Sequence, residues 1–266
     1  MDAPTEAELL RAAQAGDDDA LTALLGRYQD VVFRFGLRLC GDRADAEDVL
    51  QESLLAMARG VRDFRGGSSL STWLYTIARS YCIKKRRRRQ DAPATVEPLE
   101  HAAAVAAPGD DPEAAASRSE LSRAIEAAIA SLEPNHREVL VLRDVEGLSA
   151  AEVAEVLELS VDAVKSRLHR ARAAMRAALT APPPPAGPSC PDVITRFSQQ
   201  LEGEIGPSLC AELERHLAGC PRCHAVCDDL RAVLGQCRTL PAAPVPADVQ
   251  HRVRVAVRDY LTSTGR

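Results

Sequence analysis

Aromatic residues make up only 3% of this 266-residue chain, and no apolar run approaches the ~20 residues a membrane span needs. The N-terminal MDAPTEAELL is acidic where a secretory leader would be basic and then apolar, so a soluble cytoplasmic protein is expected. Cores must come from Leu, Val, Ile and Ala, which suits helices better than sandwiches or barrels, and the expected fold is all-α. The sequence also lacks a glycine-rich phosphate loop, a nucleophile elbow and an H-E-x-x-H pair. An enzyme with a small-molecule substrate is therefore not expected. At roughly 100–200 residues per domain, the length suits two or three small domains.

The net charge of -5 conceals its distribution. Residues 1–83 hold 9 basic and 13 acidic side chains, after which Lys84 to Arg89 supply six consecutive positive charges. Residues 91–117 carry six acids and no base, whereas 160–176 carry five bases and one acid, Asp162. Two basic islands in an acidic chain suggest two separate contacts with a polyanion.

Helical periodicity runs through residues 5–90, with Gly16–Asp19 breaking the first two helices and Cys40-Gly41-Asp42 ending the second. Asp45 is expected to start the next helix, FRGGSSLS to form a loop, and Ser71-Thr72 to open a helix ending in the basic run. Residues 91–117 read as a flexible acidic tether and 181–189, with Pro182–Pro185, as a stiff spacer. The tail, 241–266, is basic and amphipathic through Val253, Val255, Val257 and Leu261, a spacing that fits helix or strand.

Within 118–180 the most informative stretch is GLSAAEVAEVLELSVDAVKSRLHRARAAM. Ser149 and Glu152 form a capping box, Glu158-Leu159-Ser160 a turn, and Ser160 caps a second helix. Val161, Val164, Leu168 and Ala171 should face inward. Lys165, Ser166, Arg167, His169, Arg170 and Arg172 should face outward or flank that stripe, a basic and hydroxyl-bearing surface suited to a DNA major groove.

This segment resembles the fourth conserved region of extracytoplasmic-function sigma factors, and residues 1–90 independently resemble their second region. DAEDVLQESLLAM is similar to the polymerase-binding helix and FRGGSSLSTWLYTIARSYCIKKRRRR to the promoter-melting part. The resemblance implies core RNA polymerase and promoter DNA as partners. It assigns polymerase contact to Asp45, Asp48, Gln51 and Glu52, which share a helix face that would otherwise read as merely solvated. It assigns DNA contact to the loop before Trp73, with Arg65, Arg79, Lys84, Lys85 and Arg86 close by; Trp73 also has a reading as core.

Six of the eight cysteines fall in 190–240. Cys40 and Cys82 sit apart on apolar helical faces and read as core. In HLAGCPRC, His216, Cys220 and Cys223 have metal-ligand spacing, His216 and Cys220 sharing a helix face, and Cys190 completes a Cys₃His set. This part resembles zinc-binding anti-sigma domains, and a sigma factor with such a tail resembles the CorE type, controlled by metal. Zn²⁺ or Cd²⁺ is favoured over copper because no C-x-C pair is present. Cys210, Cys227 and Cys237 are spare thiols for metal or redox chemistry. A redox-sensing zinc-thiolate tail and a purely structural zinc or protein-interaction tail remain as alternatives.

Overall fold

A computed structural model describes residues 4–90, 112–183, 185, 187, 190–240 and 244–263. It is all-α, with no strand among the described residues. The chain divides into two compact units, Met1–Ala102 with Ala242–Arg266, and Ala103–Pro241.

In the first unit α1 (Glu6–Ala15), α2 (Asp18–Cys40), α3 (Arg43–Gly60) and α4 (Leu70–Gln90) enclose a core of Leu24, Val32, Phe35, Val49, Leu54 and Leu74. Capping signals set their bounds. Asp17, within the expected break at Gly16–Asp19, accepts from the Ala20 N–H at 2.9 Å and starts α2. Helix α3 begins earlier than expected, because Asp42 is the cap, accepting from the Asp45 N–H at 2.9 Å. Ser69 likewise accepts from the Thr72 N–H at 3.0 Å, so α4 also starts ahead of the expected Ser71-Thr72. Cys40 and Cys82 are buried as anticipated, but they are bonded to each other, with Cα atoms 5.3 Å apart. Helical periodicity assigned each to a core face without revealing that α2 and α4 cross there.

The undecided tail is a helix, α12 (Ala247–Ser263), which packs on α3. Val249, Val253, Val257 and Leu261 are buried at four-residue intervals while Val255 is exposed, a pattern that excludes the strand reading.

The second unit begins with α5 (Pro112–Ser131), so the tether expected at 91–117 is helical from Pro112; its 91–111 portion lies outside the described residues. Helix α6 (Pro134–Leu140) runs into a π-helical turn, Val141–Val145, and then α7 (Ala150–Leu157) and α8 (Val161–Leu179) form the helix-turn-helix. The Ser149–Glu152 capping box is present, and Ser160 caps α8. Glu158 turns the chain between them at φ 55°, a left-handed position usually given to glycine. The spacer expected at 181–189 lies partly outside the described residues.

Three further helices complete this unit: α9 (Val193–Leu201), α10 (Pro207–Gly219) and α11 (Pro221–Arg238). They share a small core of Val193, Phe197, Leu213, Val226, Cys227 and Leu230.

Candidate metal centre and the covered helix faces

Pro207 and Pro221 occupy the first turns of α10 and α11, where a missing N–H costs nothing, and they fix where each helix starts. His216 stands near the end of α10. Cys220, in extended conformation, forms the junction, and Cys223 lies in the first turn of α11. His216 and Cys220 thus approach across a helix junction, where the sequence suggested a shared helix face. Cys190 arrives from the segment before α9. The ligand atoms of Cys190, His216, Cys220 and Cys223 all lie within 4.8 Å of one another.

The donor set fits a tetrahedral thiolate–imidazole site. His216 Nε2 is buried and has no hydrogen-bond partner, an orphan that a metal ion would satisfy. Backbone and thiol hydrogen bonds from Cys223 lower the Cys220 pKa, while burial first, then the neighbouring thiols, push Cys223 up to about 11. A bound cation would reverse that second effect by favouring thiolate.

The spare cysteines are not gathered here. Cys227, one turn beyond Cys223, lies in the apolar core, where burial pushes its thiol up to about 11. Cys210 donates to the Ile205 carbonyl at 3.7 Å, and Cys237 is buried farther along α11. His224 pairs with Asp228 at 2.8 Å.

The same three-helix module grips α8. Glu202, Gly203 and Glu204 follow α9, and Gly203 adopts φ 68°, a left-handed turn between two carboxylates that both reach region 118–180. Glu202 accepts from Arg172 Nη2 at 2.7 Å and from Arg143 Nε at 3.0 Å. Glu204 meets His169 Nε2 at 3.2 Å and Lys165 Nζ at 3.7 Å. Ser198 Oγ bonds both His169 Nδ1 at 2.8 Å and Arg172 Nη1 at 2.9 Å. Arg176 donates to Asp229 of α11 at 2.8 Å.

Two of the residues expected outward are therefore inside. Arg172 is 1% exposed, held bidentately by Asp144 at 2.6 and 2.9 Å as well as by Glu202. His169 is buried under Ser198 and Glu204. Helical phase placed them beside the apolar stripe, and charge alone could not show that acids from elsewhere would meet them. Conversely Val161, expected inward, is exposed at the helix start. Ser166 and Arg170 remain exposed, Lys165 and Arg167 half-buried, and an open cleft of about 460 Å³ separates this part of α8 from Thr195 and Gln199.

Burial would raise the Glu202 pKa, yet Arg172 and Arg143 outweigh it and hold the carboxyl below its ordinary value. Arg172 is raised in turn, its two carboxylate partners exceeding the burial penalty. The π-helical turn is what presents Arg143 and Asp144 to this cluster. Arg143, Asp144 and Ser198 were not singled out by sequence, and Glu202 and Glu204, which fall in the two-helix pattern of the anti-sigma resemblance around residues 201–204, were given no partner there.

On α3, Asp45 is nearly buried and Lys85 of the basic run approaches it at 3.8 Å while also pairing with Asp48. Gln51 is half-buried and Glu52 exposed. Helix α12 packs on α3: Arg252 donates to Glu47 at 2.7 Å, and Arg59, three turns farther along α3, stacks on the Tyr260 ring at 5.6 Å. In the segment expected to contact promoter DNA, Arg65 is exposed, Arg79 half-buried, and Trp73 half-buried against Phe64 with ring centroids 5.2 Å apart. Lys84 lies over Tyr81 at 4.9 Å, and Arg86 is half-buried.

Residues 24–92 match the family described as Sigma-70 region 2, 122–175 match Sigma-70, region 4, and 190–224 match a putative zinc-finger. RNA polymerase sigma-H factor of Pseudomonas aeruginosa is 34% identical over 178 residues, 65% of this chain and 92% of that protein. The chain belongs to the extracytoplasmic-function sigma factors. SigW of Bacillus subtilis, another member, is 33% identical over 173 residues, 63% of this chain and 92% of its own. Among solved structures, CnrH in complex with the cytosolic domain of CnrY aligns with TM-score 0.47 and 29% identity over 64% of this sigma factor and 94% of CnrH. Members of the family are non-catalytic transcription regulators, and this sigma factor carries a fused Cys/His zinc-binding C-terminal domain. None of its described helices is long and apolar enough to cross a membrane.

Proposed function

We propose that this sigma factor directs core RNA polymerase to promoters and restrains itself through its C-terminal segment, with metal occupancy setting the restraint in the sense of an anti-sigma domain. The observation that carries this reading is the clamp of Glu202 and Glu204 on Lys165, His169 and Arg172 of α8 and on Arg143 in the turn beside it, which occupies basic and imidazole side chains of a helix suited to DNA phosphates and bases. Helix α12 supports it, packing between Glu47 and Arg59 on the helix proposed to meet polymerase through Asp45, Asp48, Gln51 and Glu52.

Cys190, His216, Cys220 and Cys223 would hold Zn²⁺ or Cd²⁺ and, less readily, copper. The ion would supply a cross-link between the α9 lead-in, α10 and α11. Since these elements present Glu202 and Glu204, loading favours the clamped form, by as much as the ion's affinity differs between clamped and released states. Promoter contact is assigned to the exposed parts of α8 and, around the melted strand, to Arg65, Trp73, Arg79 and Lys84 to Arg86. Run-off transcription with core polymerase, titrating zinc, cadmium and copper against a chelated control, tests this. Transcription should rise on chelation and fall on reloading, and Cys220→Ala should abolish the response. Transcription indifferent to metal would overturn metal control while leaving the sigma assignment standing.

A further inference from the structure

We infer that Cys40 and Cys82 form a redox-active thiol pair, a site where peroxide-class oxidants write a reversible disulfide beneath the Lys85–Asp45–Asp48 cluster. The two residues are separated by 42 positions, yet the crossing of α2 and α4 brings their Cα atoms to 5.3 Å, inside the span of about 4.4–6.8 Å that a disulfide bridges without backbone movement. A sigma factor works where RNA polymerase does, among reducing thiol buffers, and disulfides in such surroundings are characteristically transient and sensing. This pair is separate from the metal centre, whose cysteines all lie in the other unit.

Its position gives the bond a consequence. Cys40 ends α2 two residues before Asp42, which caps α3 through the Asp45 N–H. Cys82 lies one turn before Lys85, whose ammonium pairs with Asp48 and approaches Asp45. A covalent link between Cys40 and Cys82 therefore fastens the start of α3 to the turn of α4 that bears Lys85. It holds the ammonium over the two carboxylates and withdraws them from other cationic partners. The bond rests on geometry alone; only its effect on polymerase rests on the proposed role of Asp45 and Asp48.

The chemistry balances with peroxide as oxidant. Cys40 keeps slight exposure while Cys82 has none, so the Cys40 thiolate attacks the O–O bond, becoming a sulfenic acid as the first water leaves. The Cys82 sulfur then attacks the sulfenic sulfur, forming S–S and releasing the second water. The two thiols lose two electrons and two protons, and the peroxide is reduced to water. A thiol reductant reverses the step by exchange.

The test uses full-length, zinc-loaded protein, first reduced, then treated with hydrogen peroxide, alkylated and mapped by mass spectrometry without reductant. The Cys40 and Cys82 peptides should appear joined, lighter by two hydrogens than their sum, and should separate after dithiothreitol. In parallel, acylation of Lys85 by an amine reagent, referenced to Lys84, should fall on oxidation, recover on reduction, and stay constant in Cys82→Ala. Cys40 and Cys82 both found alkylated after a treatment that has oxidised other cysteines would overturn the site. A link that forms without changing Lys85 acylation would overturn the clamp.

Discussion

At the scale of single residues, Glu202 is the side chain whose protonation most directly tests the grip on α8. Its pKa is lowered in the fold, so its contribution is complete above the ordinary carboxylate value of 4.5 and is lost as pH falls through the lowered folded value. Thermal denaturation of the full chain stepped downward from pH 7 should show a loss of stability below pH 4.5, and Glu202→Gln should remove part of that slope. At neutral pH the same variant should cost about 1–3 kcal/mol, because Arg172 keeps Asp144 but loses one charged partner in a site closed to water. A second residue-scale prediction separates ligands from core thiols. With Co²⁺ as a spectroscopic probe, Cys223→Ser should abolish the thiolate-to-cobalt absorption, whereas Cys227→Ser should leave it. Cys227 packs among Phe197, Leu213 and Leu230, away from the four gathered ligands, and burial keeps its thiol neutral.

At the scale of elements, α12 is held by an apolar stripe and by polar contacts that include Arg252–Glu47 and Arg59–Tyr260, and the stripe dominates. Burying one valine side chain contributes roughly 1.5–3 kcal/mol, whereas an exposed ion pair such as Arg252–Glu47 is screened by water and contributes far less. Val257→Asp should therefore detach α12 from α3 while Arg252→Ala should barely loosen it. Limited proteolysis within 244–263 and the affinity of the chain for core polymerase should both rise in the first variant. The contrast between α7–α8 and α12 also shows what the sequence made legible. The helix-turn-helix was readable because its signals are local: the Ser149–Glu152 box and the Ser160 cap act within one turn. The metal set was readable for a similar reason, since three of its ligands fall within eight residues. Helix α12 was ambiguous because Val253, Val255 and Val257 also alternate as a strand would, and only its packing on α3 leaves Val255 in solvent. Glu202 and Glu204 were invisible as functional residues, because a carboxylate's partner about 30 residues back along the chain leaves no trace in the carboxylate's own neighbourhood.

At the scale of the whole molecule, the two covers are fastened differently, and this predicts which of them answers to metal. The clamp on α8 is built from the segment that carries Cys190, His216, Cys220 and Cys223, α9 to α11 with their lead-in and junctions, whereas α12 belongs to the other unit and holds α3 with no residue of that set. Metal can bias only an element whose states differ in metal affinity. Releasing α12 by Val257→Asp should therefore raise run-off transcription at every metal concentration and preserve the ratio between chelated and loaded protein. Releasing the clamp by the pair Glu202→Gln and Glu204→Gln should instead collapse that ratio, since loading no longer changes what Arg143, Lys165, His169 and Arg172 meet. The triple variant should show the higher basal level without the metal response. The ratio has a thermodynamic reading: each tenfold change corresponds to about 1.4 kcal/mol of coupling between metal and clamp. If Val257→Asp abolished the metal response while the glutamate pair retained it, the coupling would run through α12, and the clamp on α8 would be a packing contact without regulatory weight.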